Sequence, residues 1–295
     1  MPGACRHDKI QIIKVNMMLA DLHIHTTASD GALAPAAVVR LAQSKGLAAL
    51  AVTDHDTTAG LEEALSTGNM LTITVVPGIE LSTQFADTEI HILGYFLDFR
   101  NEPLQNRLAD LRADRVNRNK KILKKLRDLG YKLDWERVLA LAGEGSVGRP
   151  HIALALKEKG YVATVEEGFQ KFLNRGAPAF VPRKKLHPQE GIDLIKATGG
   201  VAVLAHPGLL GDQRLVKELI LAGIQGIEVY YPLHSEDDKR NYLSLCKTYK
   251  LIATGGSDFH GIGTESKAEI GAAVVPYHAV KALEKAKGGV GNGAS

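Results

Sequence analysis

Seven short β-rich runs recur along this chain of 295 residues, at 18–25, 48–53, 71–80, 90–96, 201–206, 224–230 and 251–258, and they end repeatedly in a polar or charged cluster. Helix-like segments separate most of them. Residues 33–45 and 213–222 have helical apolar periodicity, with Pro35 near a start and Gly46 or Gly223 at an end. Alternation of strand and helix implies parallel pairing through right-handed crossovers. The expected fold is therefore α/β, a closed or nearly closed seven-stranded (β/α) barrel. The interval 101–196 breaks the rhythm. It holds a long basic helix, a second helical stretch at 135–142, the sequence Gly148-Arg149-Pro150-His151 leading a third, and a proline-containing loop at 176–188. Because barrel-like runs resume after it, this interval reads as a helical insertion in a discontinuous barrel made of 17–100 and 197–287. Residues 1–16 read as a poorly ordered leader, with Met17 or Met18 as an alternative start. The glycine-rich stretch 288–295 reads as a disordered tail.

A formal net charge of +3 over the whole chain is too small to argue for nucleic-acid binding. Its distribution says more: residues 103–130 carry nine Lys or Arg against three Asp. Two readings fit this helix. One is a solvated basic face with Leu104, Leu108, Leu111, Ile122, Leu126 and Leu129 turned inward; the other is a face that gathers a phosphate-rich substrate. The two cysteines, Cys5 and Cys246, are far apart and define neither a disulfide framework nor a thiolate metal site. The apolar stretch 10–20 is broken by Gln11, Lys14 and Asn16, which spoils it as a signal peptide. A cytoplasmic, membrane-free protein with no obligate protein partner is expected.

The ends of the runs carry the chemistry. His23 and His25, two apart on a strand, point to the same side. The other ends hold Asp54-His55-Asp56, Glu80, His206-Pro207 and Ser257-Asp258-Phe259-His260. His91 lies instead at the start of its run, which suits a strand of opposite direction. In (β/α) barrels the C-terminal strand ends meet in one bowl. Buried carboxylates and imidazoles gathered there would be costly unless metal ions balance them, so a multinuclear site is the leading reading. Imidazole and carboxylate without thiolate suit manganese, zinc or iron more than calcium or copper(I). Asp54, beside His55, is expected to orient an imidazole.

His23-x-His25 with Asp30, Thr53-Asp54-His55-Asp56, Glu80, His91, Ala205-His206-Pro207 and Asp258-x-His260 together resemble the PHP (polymerase and histidinol phosphatase) family of metallophosphoesterases. The stretch 21–31, with 53–58, 148–151 and the helical insertion, is similar to the bacterial 3′,5′-nucleotide bisphosphate phosphatase group, some of whose members are described as 5′-to-3′ exoribonucleases. The resemblance implies a distorted (β/α)7 barrel with two or three divalent ions, often manganese. His23, His25, Glu80 and Asp258 would hold the first ion and Asp30, His55 and His260 the second. Glu80 would bridge to a third ion bound by His91 and His206. A metal-bound hydroxide would attack phosphorus, with Asp258 or His206 as candidate proton donor to the leaving oxygen. Arg149, His151 and, more weakly, His234 are candidate substrate-binding residues, Arg149 for a second phosphate. Gly148-Arg149-Pro150 also reads as a helix start, the lesser alternative to the substrate-binding role. The substrate implied is a phosphorylated small molecule or nucleotide, with short RNA as an extension. Histidinol phosphatase, a metallo-amidohydrolase and a non-catalytic PHP module are the alternatives.

Overall fold

The computed structural model of the protein describes residues 18–143, 147–182, 185–261 and 268–288. The expected leader and all but the first residue of the expected tail lie outside the described residues. Eight strands are formed among the described residues: β1 (Leu19–Ile24), β2 (Ala49–Val52), β3 (Thr74–Phe85), β4 (Thr88–Tyr95), β5 (Val201–Leu204), β6 (Gly226–Tyr230), β7 (Ile252–Gly255) and β8 (Val275–Pro276). Ten α-helices accompany them. They are α1 (Pro35–Ser44), α2 (Leu61–Leu71), α3 (Glu102–Asp128), α4 (Trp135–Ala142), α5 (Arg149–Glu158), α6 (Val165–Gly168), α7 (Pro188–Ala197), α8 (Gln213–Leu221), α9 (Glu236–Tyr249) and α10 (His278–Ala286). None is long and apolar enough to cross a membrane.

All seven expected runs become strands, in the sheet order β7-β6-β5-β4-β3-β2-β1-β8. Two features depart from a regular (β/α) barrel. The two-residue strand β8 pairs antiparallel with β1 and was too short to be read from sequence. And β3 runs on to Phe85, where Ala86 takes a left-handed φ of 49° and the chain turns straight back into β4. No helix separates these strands, so no crossover is possible; β4 is antiparallel to both β3 and β5. The start of β4, with His91, thus lies at the same end as the C-terminal ends of β2 and β3. Between β1 and the segment after β7 the sheet closes by a parallel bridge, Ile24 to Phe259, with His25 N donating to Phe259 O at 2.9 Å and Asp258 N to His23 O at 2.9 Å.

The insertion has an apolar core of its own, in which Ile122, Leu126, Val138, Ile152, Leu156 and Phe172 are buried. Helix α3 belongs to both bodies. Asn101 caps its start, accepting from Leu104 N at 3.1 Å. Leu104, Leu108 and Leu111 then pack in the barrel core with Ile92 and Ile195, and one helix continues into the insertion core. Leu129, expected to face inward, is instead 45% exposed because the helix has ended at Asp128. At the far side of the insertion, Gln84 N donates to Leu186 O at 2.8 Å, and Ile192 and Ile195 of α7 pack in the barrel core.

Closure leaves no room at Gly256, where an added Cβ would collide with the backbone and Cβ of His23. Gly256→Ala should destabilise the protein by about 1–3 kcal/mol, as overpacking of a close-packed contact does. Denaturant unfolding of the variant against wild type measures this.

Candidate metal centre

Strand periodicity builds the site from the bottom up. Asp21, His23 and His25 alternate along and just past β1 and are fully buried. Asp21 ties the strand to its neighbours, accepting from Ser257 N at 2.9 Å and Gly271 N at 2.8 Å. Burial pushes its carboxyl up to about 6. His23 and His25 bring their Nε2 atoms to 3.4 and 3.2 Å from Glu80 Oε2, and to 3.4 and 3.2 Å from Asp258 Oδ1. His55 Nδ1 lies 3.0 Å from Glu80 Oε2. On the other Glu80 oxygen, His91 Nδ1 lies at 2.9 Å and His206 Nε2 at 3.1 Å. Asp30 sits beyond, 3.5 Å from His25 Nδ1, 3.4 Å from His260 Nε2 and 3.8 Å from His55 Nε2. All nine residues named from the sequence therefore meet in one bowl.

Three groups of these side chains bring one ligand atom each within 4.8 Å of one another: His23, His25 and Asp258; His25, Asp30, His55 and His260; and His55, Glu80 and His91. The grouping differs in detail from that implied by the resemblance, since His25 serves two groups and His55 stands beside His91. The donor set fits divalent ions. His23 Nε2, both nitrogens of His25, His55 Nδ1, Glu80 Oε2 and His206 Nδ1 are buried without a hydrogen-bond partner. A buried polar atom left unpaired costs about 1–3 kcal/mol, and cations bound at these positions would satisfy several at once.

The electrostatics point the same way. Burial disfavours the imidazolium of His23, but Glu228, Asp258 and Glu80 outweigh it and hold its pKa well above the histidine range. Against the same desolvation, His25 is raised to about 10 by Asp258 and Glu80, and His91 to about 9 by Glu80 and Glu89. His55 moves the other way, to about 4, because burial wins there. Burial opposes ionisation of Glu80, yet His55, His91 and His23 hold it well below the carboxylate range. Bound divalent cations would take the place of the protons on these imidazoles.

Three supporting groups escaped the sequence reading. Glu228, fully buried in β6, accepts from His23 Nδ1 at 2.9 Å and from His206 N at 2.7 Å. Glu89 lies 3.0 Å from His91 Nε2, and the Tyr231 hydroxyl donates to Asp258 Oδ2 at 3.1 Å. Carboxylates behind ligating imidazoles fix ring orientation and tautomer. A signal for Glu228 was present: a carboxylate between Ile227 and Val229 in a buried strand needs a partner. Asp54 does something other than expected. It accepts from Thr26 N and Thr26 Oγ1 at 2.8 Å each and from Ser29 Oγ at 2.6 Å, so it clamps the turn that presents Asp30 and orients no imidazole. Asp56, His206 and Asp258 all have left-handed φ, at 53°, 24° and 53°. For residues with a Cβ this is strained backbone, tolerated where surrounding structure over-determines it.

Above the bowl opens a cleft of about 370 Å³, lined by Asp30, His55 and His91 below and by Arg115, Arg118, Arg149, Arg175 and Lys185 around it. Arg115 and Arg118 come from the basic helix α3, so two of its nine cations line the cleft. Arg115 also donates to Asp56 Oδ2 at 3.1 Å. Arg149 lies over the Phe169 ring at 5.7 Å and donates to Leu173 O at 3.2 Å. His151 is engaged differently: its Nδ1 accepts from Gly148 N at 3.0 Å, the helix-start alternative realised. His234 is buried with Nδ1 donating to Val229 O at 2.9 Å and Nε2 accepting from Gly208 N at 3.1 Å, which commits both ring nitrogens to backbone.

A barrel whose strand ends converge imidazoles and carboxylates beneath a cationic cleft is the architecture of a metal-dependent phosphoryl hydrolase. Comparison with known proteins agrees. A family profile described as the PHP domain matches residues 21–210. The 5′-3′ exoribonuclease Rnm of Salmonella typhimurium is 37% identical over 252 residues, covering 82% of this chain and 85% of that protein. A 3′,5′-nucleoside bisphosphate phosphatase of Chromobacterium violaceum is 34% identical over 249 residues, covering 82% and 87%. Among solved structures, a provisionally assigned metal-dependent phosphoesterase from Bifidobacterium adolescentis superposes with a TM-score of 0.80 at 29% identity, covering 92% of this chain and 97% of that one. The chain belongs to the PHP domain family.

Loss of the buried Glu228 carboxylate should act through His23. Glu228→Gln is expected to weaken manganese binding by roughly 10- to 100-fold, the usual cost of removing such an outer partner. Metal titration followed by calorimetry reads this directly.

Proposed function

We propose that this metal-dependent phosphoesterase removes a phosphate from nucleoside 3′,5′-bisphosphates, with the 5′ ends of short RNA as a second substrate, using two or three divalent ions with manganese favoured. The observation that carries the reading is the juxtaposition of three imidazole–carboxylate groups with a cleft that also holds Arg115, Arg118, Arg149, Arg175 and Lys185. A monophosphate needs only the bowl. Arg115 faces Asp56, Arg175 faces Asp87 and Lys185 faces Glu89, so a second phosphate would be met chiefly by Arg118 and Arg149. The names of the relatives, a bisphosphate phosphatase and an exoribonuclease, support the same class.

Bound metal ions would supply a water-derived nucleophile at neutral pH and Lewis-acid positions for phosphoryl oxygens. The chain's own groups do the rest. Asp258, steadied by Tyr231, and His206, whose Nδ1 is buried and without a hydrogen-bond partner, are the candidates for protonating the leaving oxygen. Arg149 presents a guanidinium fork at the cleft wall, where the second phosphate would sit. His151 supports this indirectly by capping the helix that starts at Arg149.

Phosphate release from adenosine 3′,5′-bisphosphate by the manganese-loaded protein is the decisive assay; release from histidinol phosphate alone would replace this reading with histidinol phosphatase. Chelation with EDTA should abolish activity and lower the thermal midpoint, both restored by manganese. His55→Ala and Asp258→Ala should each lose more than about 100-fold in kcat/KM, since each removes a member of a charged cluster. Arg149→Ala should raise KM for the bisphosphate by roughly 10- to 150-fold, the worth of a charge-assisted contact of about 1.5–3 kcal/mol, while KM for a simple aryl phosphate changes little.

A further inference from the structure

One residue of the cleft wall is chemically out of place. Its lining is charged or polar apart from Gly148, Pro150 and the aromatic side chain of Phe180. Phe180 lies between Ala179, fully buried in the insertion core, and Val181, which packs against that core. Phe180 itself belongs to none of the four apolar clusters found among the described residues and stays half-buried. Its position is held firmly. Phe180 N donates to Ala177 O at 3.0 Å, Lys125 Nζ donates to Phe180 O at 2.7 Å, and Arg118 Nε donates to Val181 O at 2.7 Å.

A half-buried apolar ring that joins no core cluster and lines a polar cleft leaves apolar surface for a ligand to cover. Such groups in ligand clefts cover an apolar part of the ligand. The ligand that suits this wall is anionic, to meet Arg118 and Arg149, and also carries a flat π face. We propose that Phe180 is the platform on which the nucleobase of the substrate stacks, so that the enzyme prefers nucleoside phosphates over sugar phosphates lacking a base. This rests on the nucleoside bisphosphate reading above. Because every base presents a π face, the platform selects for the presence of a base and tolerates its identity.

Steady-state kinetics of the manganese-loaded full chain separate the possibilities, with adenosine 3′,5′-bisphosphate and ribose 3,5-bisphosphate as substrates. Phe180→Leu keeps an apolar side chain of similar bulk and removes the aromatic face. It should raise KM for the adenosine substrate about tenfold more than KM for the base-less one, a typical loss on removing a base–aromatic stack, and Phe180→Trp should restore the ratio. Equal changes with both substrates, or no change, overturn the platform while leaving the nucleotide reading standing. If wild type hydrolyses the base-less compound and not the nucleotide, the nucleotide reading falls and the platform with it.

Discussion

A single buried carboxylate organises the structure. Glu80 lies within 3.4 Å of five imidazoles, with His23, His25 and His55 facing one oxygen and His91 and His206 the other. Such a group is tolerable in a barrel core only if its charge is balanced, and the balance needs residues from β1, β4 and the loops after β2 and β5. Each of those elements is placed by the sheet. Closure between Ile24 and Phe259 brings Asp258 and His260 to the same bowl, and the reversal of β4 brings His91. The apolar barrel core and the polar bowl are therefore two results of one strand order.

The seven principal strands were legible because each is a compact apolar run, and most stop at a polar cluster. Seven of the nine bowl residues were legible as polar residues where an apolar run stops, whereas His91 stood at the start of its run and Asp30 was named only through the family resemblance. What was not legible depends on facts a linear pattern does not carry. Helix α3 shows where its apolar residues lie but not which of its cations faces the barrel mouth; Arg115 and Arg118 are distinguished from Lys120 or Lys124 only by the direction in which the helix crosses the rim. Asp54 looked like a partner for its neighbour His55, but side chains adjacent in an extended segment diverge, and its carboxylate reaches the Thr26–Ser29 turn instead. That the His151 imidazole would accept from Gly148 N through Nδ1 was not read from the sequence, because a side-chain cap depends on a rotamer the spacing does not show.

The division between barrel and insertion also separates two kinds of requirement. The bowl is fixed by backbone bridges, buried carboxylates and left-handed φ angles at Asp56, His206 and Asp258. The cleft wall comes from helices and loops that pack on a separate core. Changes in the wall can alter which phosphate ester fits while the bowl keeps its geometry.

The antiparallel course of β4 has a mechanical consequence for the whole molecule. Because β4 begins at the mouth, it delivers the chain to the opposite, lower end, where Tyr95 pairs with Val201 at the start of β5. Anything built above the mouth from that point must first climb back up the outside. Helix α3 is the ladder: at 27 residues it spans about 40 Å, and its lower half, through Leu104, Leu108 and Leu111, is bolted to the barrel. Arg115 is reached after about 20 Å of ascent, where it meets Asp56 at the rim, and the remaining turns cantilever the roof. The height of the barrel thus sets the first half of that helix, and shortening it there by a single turn would lower the roof by about 5 Å while keeping its facing.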